Sequence, residues 1–130
     1  MTELVDEQVI DVLLIEDDPA VVEMYKMKLE LDGYRVNIAA DGDEGLARAM
    51  ELQPDIIFLD LRLPKKDGFE VLRELRQNDA TRATPVIILS NYGQRELIER
   101  GLTLGANEFL IKAQTTPTSL SEGIDEWLKE

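Results

Sequence analysis

Residues 12–19 read VLLIEDDP, a short apolar run that ends in three consecutive carboxylates and a proline. Two carboxylates about 4 Å apart repel by roughly 4 kcal/mol at an effective dielectric near 20. Glu16, Asp17 and Asp18 therefore call for offsetting partners. Asp18 is accounted for locally, because it precedes Pro19, whose fixed φ suits the first helical position, and so reads as a helix N-cap. Glu16 and Asp17 are left at the tip of the strand. The run before them is almost continuously apolar, the mark of a strand buried on both faces.

Four more apolar runs follow, of which those of the third and fourth expected strands are as continuous as the first. The expected strands are 9–16 (VIDVLLIE), 34–39 (YRVNIA), 55–60 (DIIFLD), 85–90 (PVIILS) and 107–112 (NEFLIK). Between them the spacing predicts helices. In the first, Val21, Met24, Met27 and Leu31 form a stripe. The second spans about 43–53, with Asp41 and Glu44 as a capping box. The third spans about 68–77, with Phe69, Leu72 and Leu75 on one face. The fourth, about 93–104, carries Leu97, Ile98, Gly101 and Leu102. The fifth follows Pro117, with Leu120, Ile124, Trp127 and Leu128 at helical spacing, most simply core packing. Alternating strands and helices with short connections predict an α/β fold, a single doubly wound five-stranded parallel sheet with helices on both faces. The expected division is a flexible N-terminal segment, 1–8, and one domain, 9–130. The sequence stops with the fifth helix, which leads us to expect no output domain.

Composition narrows the chemistry. The 130 residues carry a formal net charge of −13, with 27 acids, 14 bases, no histidine and no cysteine. Thiolate and imidazole chemistry are thereby excluded, and an acidic chain is a poor direct partner for nucleic acid. No apolar run approaches the 18 or more residues that a membrane span requires, and the acidic start lacks the regions of a signal peptide. The expected setting is cytoplasmic, without membrane insertion.

Ligands of open α/β sheets bind at the carboxyl ends of the strands. In this sequence those ends carry Glu16 and Asp17 (strand one), Asp60 (strand three), Ser90 (strand four) and Lys112 (strand five), each closing an apolar run. With LLIEDDP, IIFLDLRLPKKDG, PVIILS and GANEFLIKA in that order, the sequence resembles the receiver domains of two-component response regulators over about residues 9–128.

The resemblance implies a flavodoxin-like (βα)5 fold with strand order 2-1-3-4-5. It makes Asp60 the phosphoacceptor and Glu16 and Asp17 the acid pair for Mg2+, Asp17 directly and Glu16 largely through bound water. It makes the Arg62 backbone carbonyl a further ligand, and gives Lys112 and the Ser90 hydroxyl to the phosphoryl oxygens. Phe109 falls where the family places its switch aromatic. The implied protein is not a turnover enzyme. It takes a phosphoryl group from a histidine kinase or phosphotransfer protein, promotes that transfer and its own slow dephosphorylation, and signals through the face formed by the fourth helix and the fifth strand and helix. The physics agrees, since Mg2+ favours oxygen ligands and phosphoryl transfer depends on positioning and charge neutralisation.

Two features depart from or refine that pattern. Receivers usually follow the lysine with a cis-linked proline, whereas here Ala113 stands, and we expect a trans bond with a shifted loop. Arg62 and Tyr92 occupy positions that flank the phosphoryl group in the family. Asp67-Gly68 reads as a turn and helix start, and Lys65-Lys66 as a solvated loop tip. The alternative reading is a receiver-like interaction module that takes no phosphate, which beryllofluoride with Mg2+ would leave unchanged. An Mg2+-dependent phosphatase or a topoisomerase-primase site would want an Asp-x-Asp pair, and Leu61 and Arg62 follow Asp60 instead. A flavin site would lack its phosphate loop.

Overall fold

The computed structural model describes residues 9–129, so the segment 1–8, expected to be flexible, lies outside the described residues. Five strands form one parallel sheet in the order β2-β1-β3-β4-β5: β1 (Asp11–Ile15), β2 (Arg35–Ala39), β3 (Ile56–Leu59), β4 (Val86–Ser90) and β5 (Glu108–Ile111). The helices α1 (Pro19–Leu31), α2 (Gly42–Leu52), α3 (Gly68–Gln77), α4 (Arg95–Thr103) and α5 (Pro117–Lys129) link or follow them. The doubly wound topology and the order 2-1-3-4-5 are as expected.

Strand alternation divides the core. Leu13, Ile15, Ile57, Leu59, Val86 and Ile88 pack on one face with residues of α2 and α3. Val12, Leu14, Ile56, Phe58, Ile87 and Leu89 pack on the other with Tyr25 and Leu29 of α1 and Leu120 and Ile124 of α5. Central strands therefore carry no wet face, which explains their unbroken apolar runs.

The caps follow the local chemistry. Asp18 accepts from Ala20 N–H at 3.0 Å, with Pro19 opening α1. Asp41 accepts from Glu44 N–H at 2.7 Å while Glu44 reaches back to Ala40 N–H at 2.9 Å. Asp67 caps α3 through Glu70 N–H at 3.1 Å. Helix α4 is the exception: Gln94 makes no side-chain cap bond and Gly101 is its one buried residue.

Two expectations are corrected. The stripe assigned to the buried face of α1 is largely outside, with Met24 45%, Met27 60% and Leu31 77% exposed, and the helix seats Tyr25 and Leu29 instead. Apolar residues lie on several sides of α1, so spacing alone does not choose its inner face. Nor is Lys66 a solvated tip, since its ammonium pairs with Glu74 at 2.5 Å and stands 3.9 Å from Asp43. Lys65, with φ of 70°, is the exposed member.

Candidate functional site

The register sets the site. Ile15 of β1 is level with Leu59 of β3, so the residues after them, Glu16 and Asp60, emerge together at the carboxyl edge. Each is held by one more ladder-like bond beyond the strand: Glu16 N–H donates to Ala39 O at 2.9 Å, and Asp60 N–H to Ile15 O at 3.0 Å. The acids are thus fixed by the sheet rather than by a loop. Gly68 brings the start of α3 against the same backbone, because a Cβ there would stand 2.4 Å from Asp60 O and 2.6 Å from Leu61 Cα.

One carboxylate oxygen from each of Glu16, Asp17 and Asp60 lies within 4.8 Å of the other two. Glu16 is 1% exposed and Asp60 6%, whereas Asp17 is exposed. Lys112, directly after β5, sets its ammonium 2.8 Å from Glu16 Oε1 and 3.3 Å from Asp60 Oδ2. Glu16 Oε2 accepts from Asp18 N–H at 3.1 Å, while Oε1 is buried without a well-directed hydrogen bond despite the close ammonium.

Burial is the main force raising Glu16 and Asp60 above their ordinary values; Lys112 opposes it at both, and Asp60 adds to it at Glu16. For Lys112 burial works against the charge, but the two carboxylates prevail and its pKa rises. Among these groups one ammonium faces three carboxylates, and the donors are all hard oxygens. Three carboxylates that can each turn an oxygen to one point, with negative charge in excess, fit a hard divalent cation such as Mg2+.

Around the cluster lies a cleft of about 390 Å³ lined by Glu16, Asp17, Asp60, Arg62, Asn91 and Lys112, among others. A larger hollow of about 790 Å³ runs along α1 and reaches these acids only at its end, so it is the chemistry and not the size that marks the site. Ser90 is fully buried and its Oγ accepts from Tyr92 N–H at 3.0 Å. It lines an adjoining cavity of about 480 Å³ with Leu61, Phe69 and Leu97. Arg62 N–H reaches Asp60 Oδ1 at 3.4 Å, and its guanidinium stacks 4.4 Å over the Tyr92 ring.

The structure therefore gathers Glu16, Asp17, Asp60 and Lys112 into one cluster, with Ser90 and Arg62 beside it. Phe109 is not among the residues lining the cleft; it is half-buried against the β4–α4 side, where a Cβ at Gly101 would meet its Cδ2 at 3.2 Å. Sequence reasoning did not single out Asn91, although its position beside Ser90 was a usable signal. After Lys112 the chain makes a 3₁₀ turn, Lys112–Gln114, and the Lys112–Ala113 bond is trans, as expected.

Residues 12–124 match the family model described as the response regulator receiver domain. The chain belongs to this family. Its curated relatives include the DNA-binding dual master transcriptional regulator RpaA of Synechocystis sp., 45% identical over 101 residues that cover 78% of this chain and 42% of RpaA. They also include protein-glutamate methylesterase/protein-glutamine glutaminase 1 of Myxococcus xanthus, 41% identical over 108 residues, 82% of this chain and 30% of that protein. The chain spans less than half the length of such relatives. Among solved structures, a CheY-like receiver domain protein from Methanospirillum hungatei aligns with a TM-score of 0.86 at 30% identity, covering 94% of this chain and 95% of that one. The receiver domain of sensor histidine kinase PA1611 from Pseudomonas aeruginosa aligns at 0.85 and 30% identity, covering 94% and 99%, and its crystal structure has a magnesium ion coordinated in the active-site cleft. Receiver domains of this family are phosphorylated on an aspartate beside an acidic, Mg2+-binding pocket. No helix among the described residues is long and apolar enough to cross a membrane.

Proposed function

We propose that this receiver domain accepts its phosphoryl group on Asp60, from a phosphohistidine of a kinase or phosphotransfer protein. The observation that carries the reading is the meeting of three carboxylates within 4.8 Å with the Lys112 ammonium 3.3 Å from Asp60 Oδ2. An Asp60 carboxylate oxygen attacks phosphorus in line. The O–P bond forms as the P–N bond breaks, and the imidazole leaves with the electron pair and is protonated from solvent. Lys112 transfers its pairing from the Asp60 carboxylate to the phosphoryl oxygens, where negative charge gathers. The Ser90 hydroxyl goes on accepting from Tyr92 N–H and donates its own proton to a phosphoryl oxygen, since a hydroxyl can do both. Asp17, the Asp60 carboxylate and the Arg62 backbone carbonyl, with Glu16 behind them, would hold Mg2+, which neutralises phosphoryl charge when bound.

The protein on this reading is a phosphoacceptor that promotes its own labelling and slow dephosphorylation, and acts in the cytoplasm through protein contacts. Ser90 and Phe109 carry the change to α4, β5 and α5. The weak seating of α4 supports this route, for a helix with one buried residue and no side-chain cap moves at little cost. The test is labelling by acetyl phosphate in Mg2+, followed by intact mass. One phosphoryl group is expected on the wild type and none on Asp60→Asn. Stoichiometric labelling of the variant at another residue would overturn the assignment.

A further inference from the structure

The segment that carries Lys112 has no proline to stiffen it, and its geometry comes from hydrogen bonds. Thr115 closes the turn from within: its N–H donates to Lys112 O at 3.1 Å and its Oγ1 to Ile111 O at 2.8 Å. The carbonyl of the same Thr115 is held from outside by Tyr25, whose hydroxyl donates to it at 3.0 Å across 90 residues of sequence. Tyr25 is fully buried on the inner face of α1, and its hydroxyl lies within electrostatic reach of both Lys112 and Glu16.

We propose that Tyr25 is a positioning residue for Lys112: by fixing the Thr115 carbonyl it locks the turn that aims the Lys112 ammonium at Asp60. The inference rests on the assignment of Lys112 to the phosphoryl oxygens. Several facts converge on it. The turn is three residues long, so a rotation at Thr115 is felt directly at Lys112. A phenol is a rigid arm that keeps its oxygen in place once the ring is packed, and this ring is packed in the core of the α1–α5 face. A buried tyrosine that served packing alone would do as well as phenylalanine, yet here the hydroxyl is spent on the one loop whose lysine enters the site.

Tyr25→Phe removes the hydroxyl and leaves the ring. Labelling rates with acetyl phosphate at saturating Mg2+ are measured for the wild type, Tyr25→Phe, Lys112→Met and the double variant, with thermal melts alongside. We expect Tyr25→Phe to label roughly fivefold more slowly, about what the loss of one ordinary hydrogen bond produces. It should do nothing further in the Lys112→Met background, since residues that act through one another are not additive. The Lys112 side-chain NMR signals should move in Tyr25→Phe. Thr115→Ala, which loosens the same turn without touching the core, should give the same pattern and serves if Tyr25→Phe folds poorly. Wild-type labelling in both variants, or an equal slowing with and without Lys112, would refute the proposal. Failure of the underlying assignment looks different: Lys112→Met itself would then label like the wild type, before Tyr25 is considered.

Discussion

Replacing Lys112 with methionine removes the ammonium from the acid cluster while keeping a side chain of similar reach. At an effective dielectric near 20, its attractions to Glu16 at 2.8 Å and Asp60 at 3.3 Å are roughly 6 and 5 kcal/mol. Two carboxylate oxygens within 4.8 Å repel by roughly 3.5 kcal/mol or more on the same scale. These gross terms do not become the net loss, because the folded variant can escape by taking up a proton. From the ordinary glutamate value of 4.5, neutralising Glu16 costs about 3.4 kcal/mol at pH 7 and about 0.7 kcal/mol at pH 5. The sign follows from linkage: a carboxyl held above its unfolded value keeps more protons in the folded state, so stability falls as pH rises from 4.5. Lys112→Met should therefore lose about 3 kcal/mol at pH 7 and less than about 1 kcal/mol at pH 5. Urea unfolding in EDTA at constant ionic strength reads this directly, and adding Glu16→Gln should return most of the loss at pH 7. A penalty equal at both pH values would show that the lysine acts by packing and not by charge.

Other outcomes follow from the same geometry. Burial holds Asp60 above its ordinary 3.8, so its charge weakens the fold above that pH; Asp60→Asn should raise the urea midpoint in EDTA at pH 7 and lose the advantage as pH falls towards 4. Mg2+ at a hundred times its dissociation constant should stabilise the wild type by about 2.7 kcal/mol and Asp60→Asn by much less, measured as a shift in melting temperature. Arg76 donates to Gly105 O at 2.8 and 3.0 Å, to Thr84 O at 2.8 Å and to Asn107 Oδ1 at 3.0 Å. Arg76→Met strands these acceptors and should cost about 2–4 kcal/mol, with hydrogen-exchange protection lost first at 81–86 and 105–107. Gly68→Ala sets a Cβ against the Asp60 backbone, which cannot yield as a side-chain tip would, and should both destabilise the fold by roughly 2 kcal/mol and slow labelling. A wild-type melt for that variant would mean the α3 start is looser than the structure describes.

Which parts could be read in advance depended on how far apart the deciding atoms lie in sequence. The tips of β1, β3 and β4 were legible because a polar residue ended a run that a two-faced buried strand requires, and the level pairing of Ile15 with Leu59 then brings Glu16 and Asp60 together. Helix α1 was not, since eight of its positions are hydrophobic and its inner face is chosen by what α5 and the sheet present, Leu120 and Ile124 against Tyr25 and Leu29. Lys66 was read as solvated because two lysines in a loop ordinarily are. One partner, Glu74, is eight residues on in α3, and the other depends on Gly42, where a Cβ would stand 2.0 Å from Lys66 O, so that α2 can close on the loop and bring Asp43 near. No local signal marks such an approach.

The acids of the opening stretch carry the same lesson one step further. Their repulsion, read in sequence, called for a cation, and a divalent ion was the natural candidate. In the fold, part of the relief is already internal: Glu16 has Lys112 on one oxygen and Asp18 N–H on the other, while Asp17 has no such partner among the described residues and is exposed. The three acids are therefore unequal. Glu16 stands nearer the lysine, at 2.8 Å against 3.3 Å for Asp60, and on the proposed reading it would reach a bound ion from behind, whereas Asp17 and Asp60 would meet it directly. Asp17→Asn should then weaken Mg2+ binding far more than it changes stability in EDTA, and Glu16→Gln should do both, because Glu16, unlike Asp17, stands beside the lysine as well as the proposed ion site. Mg2+ titration and urea unfolding of the two variants separate the roles, and equal behaviour of both would contradict the division.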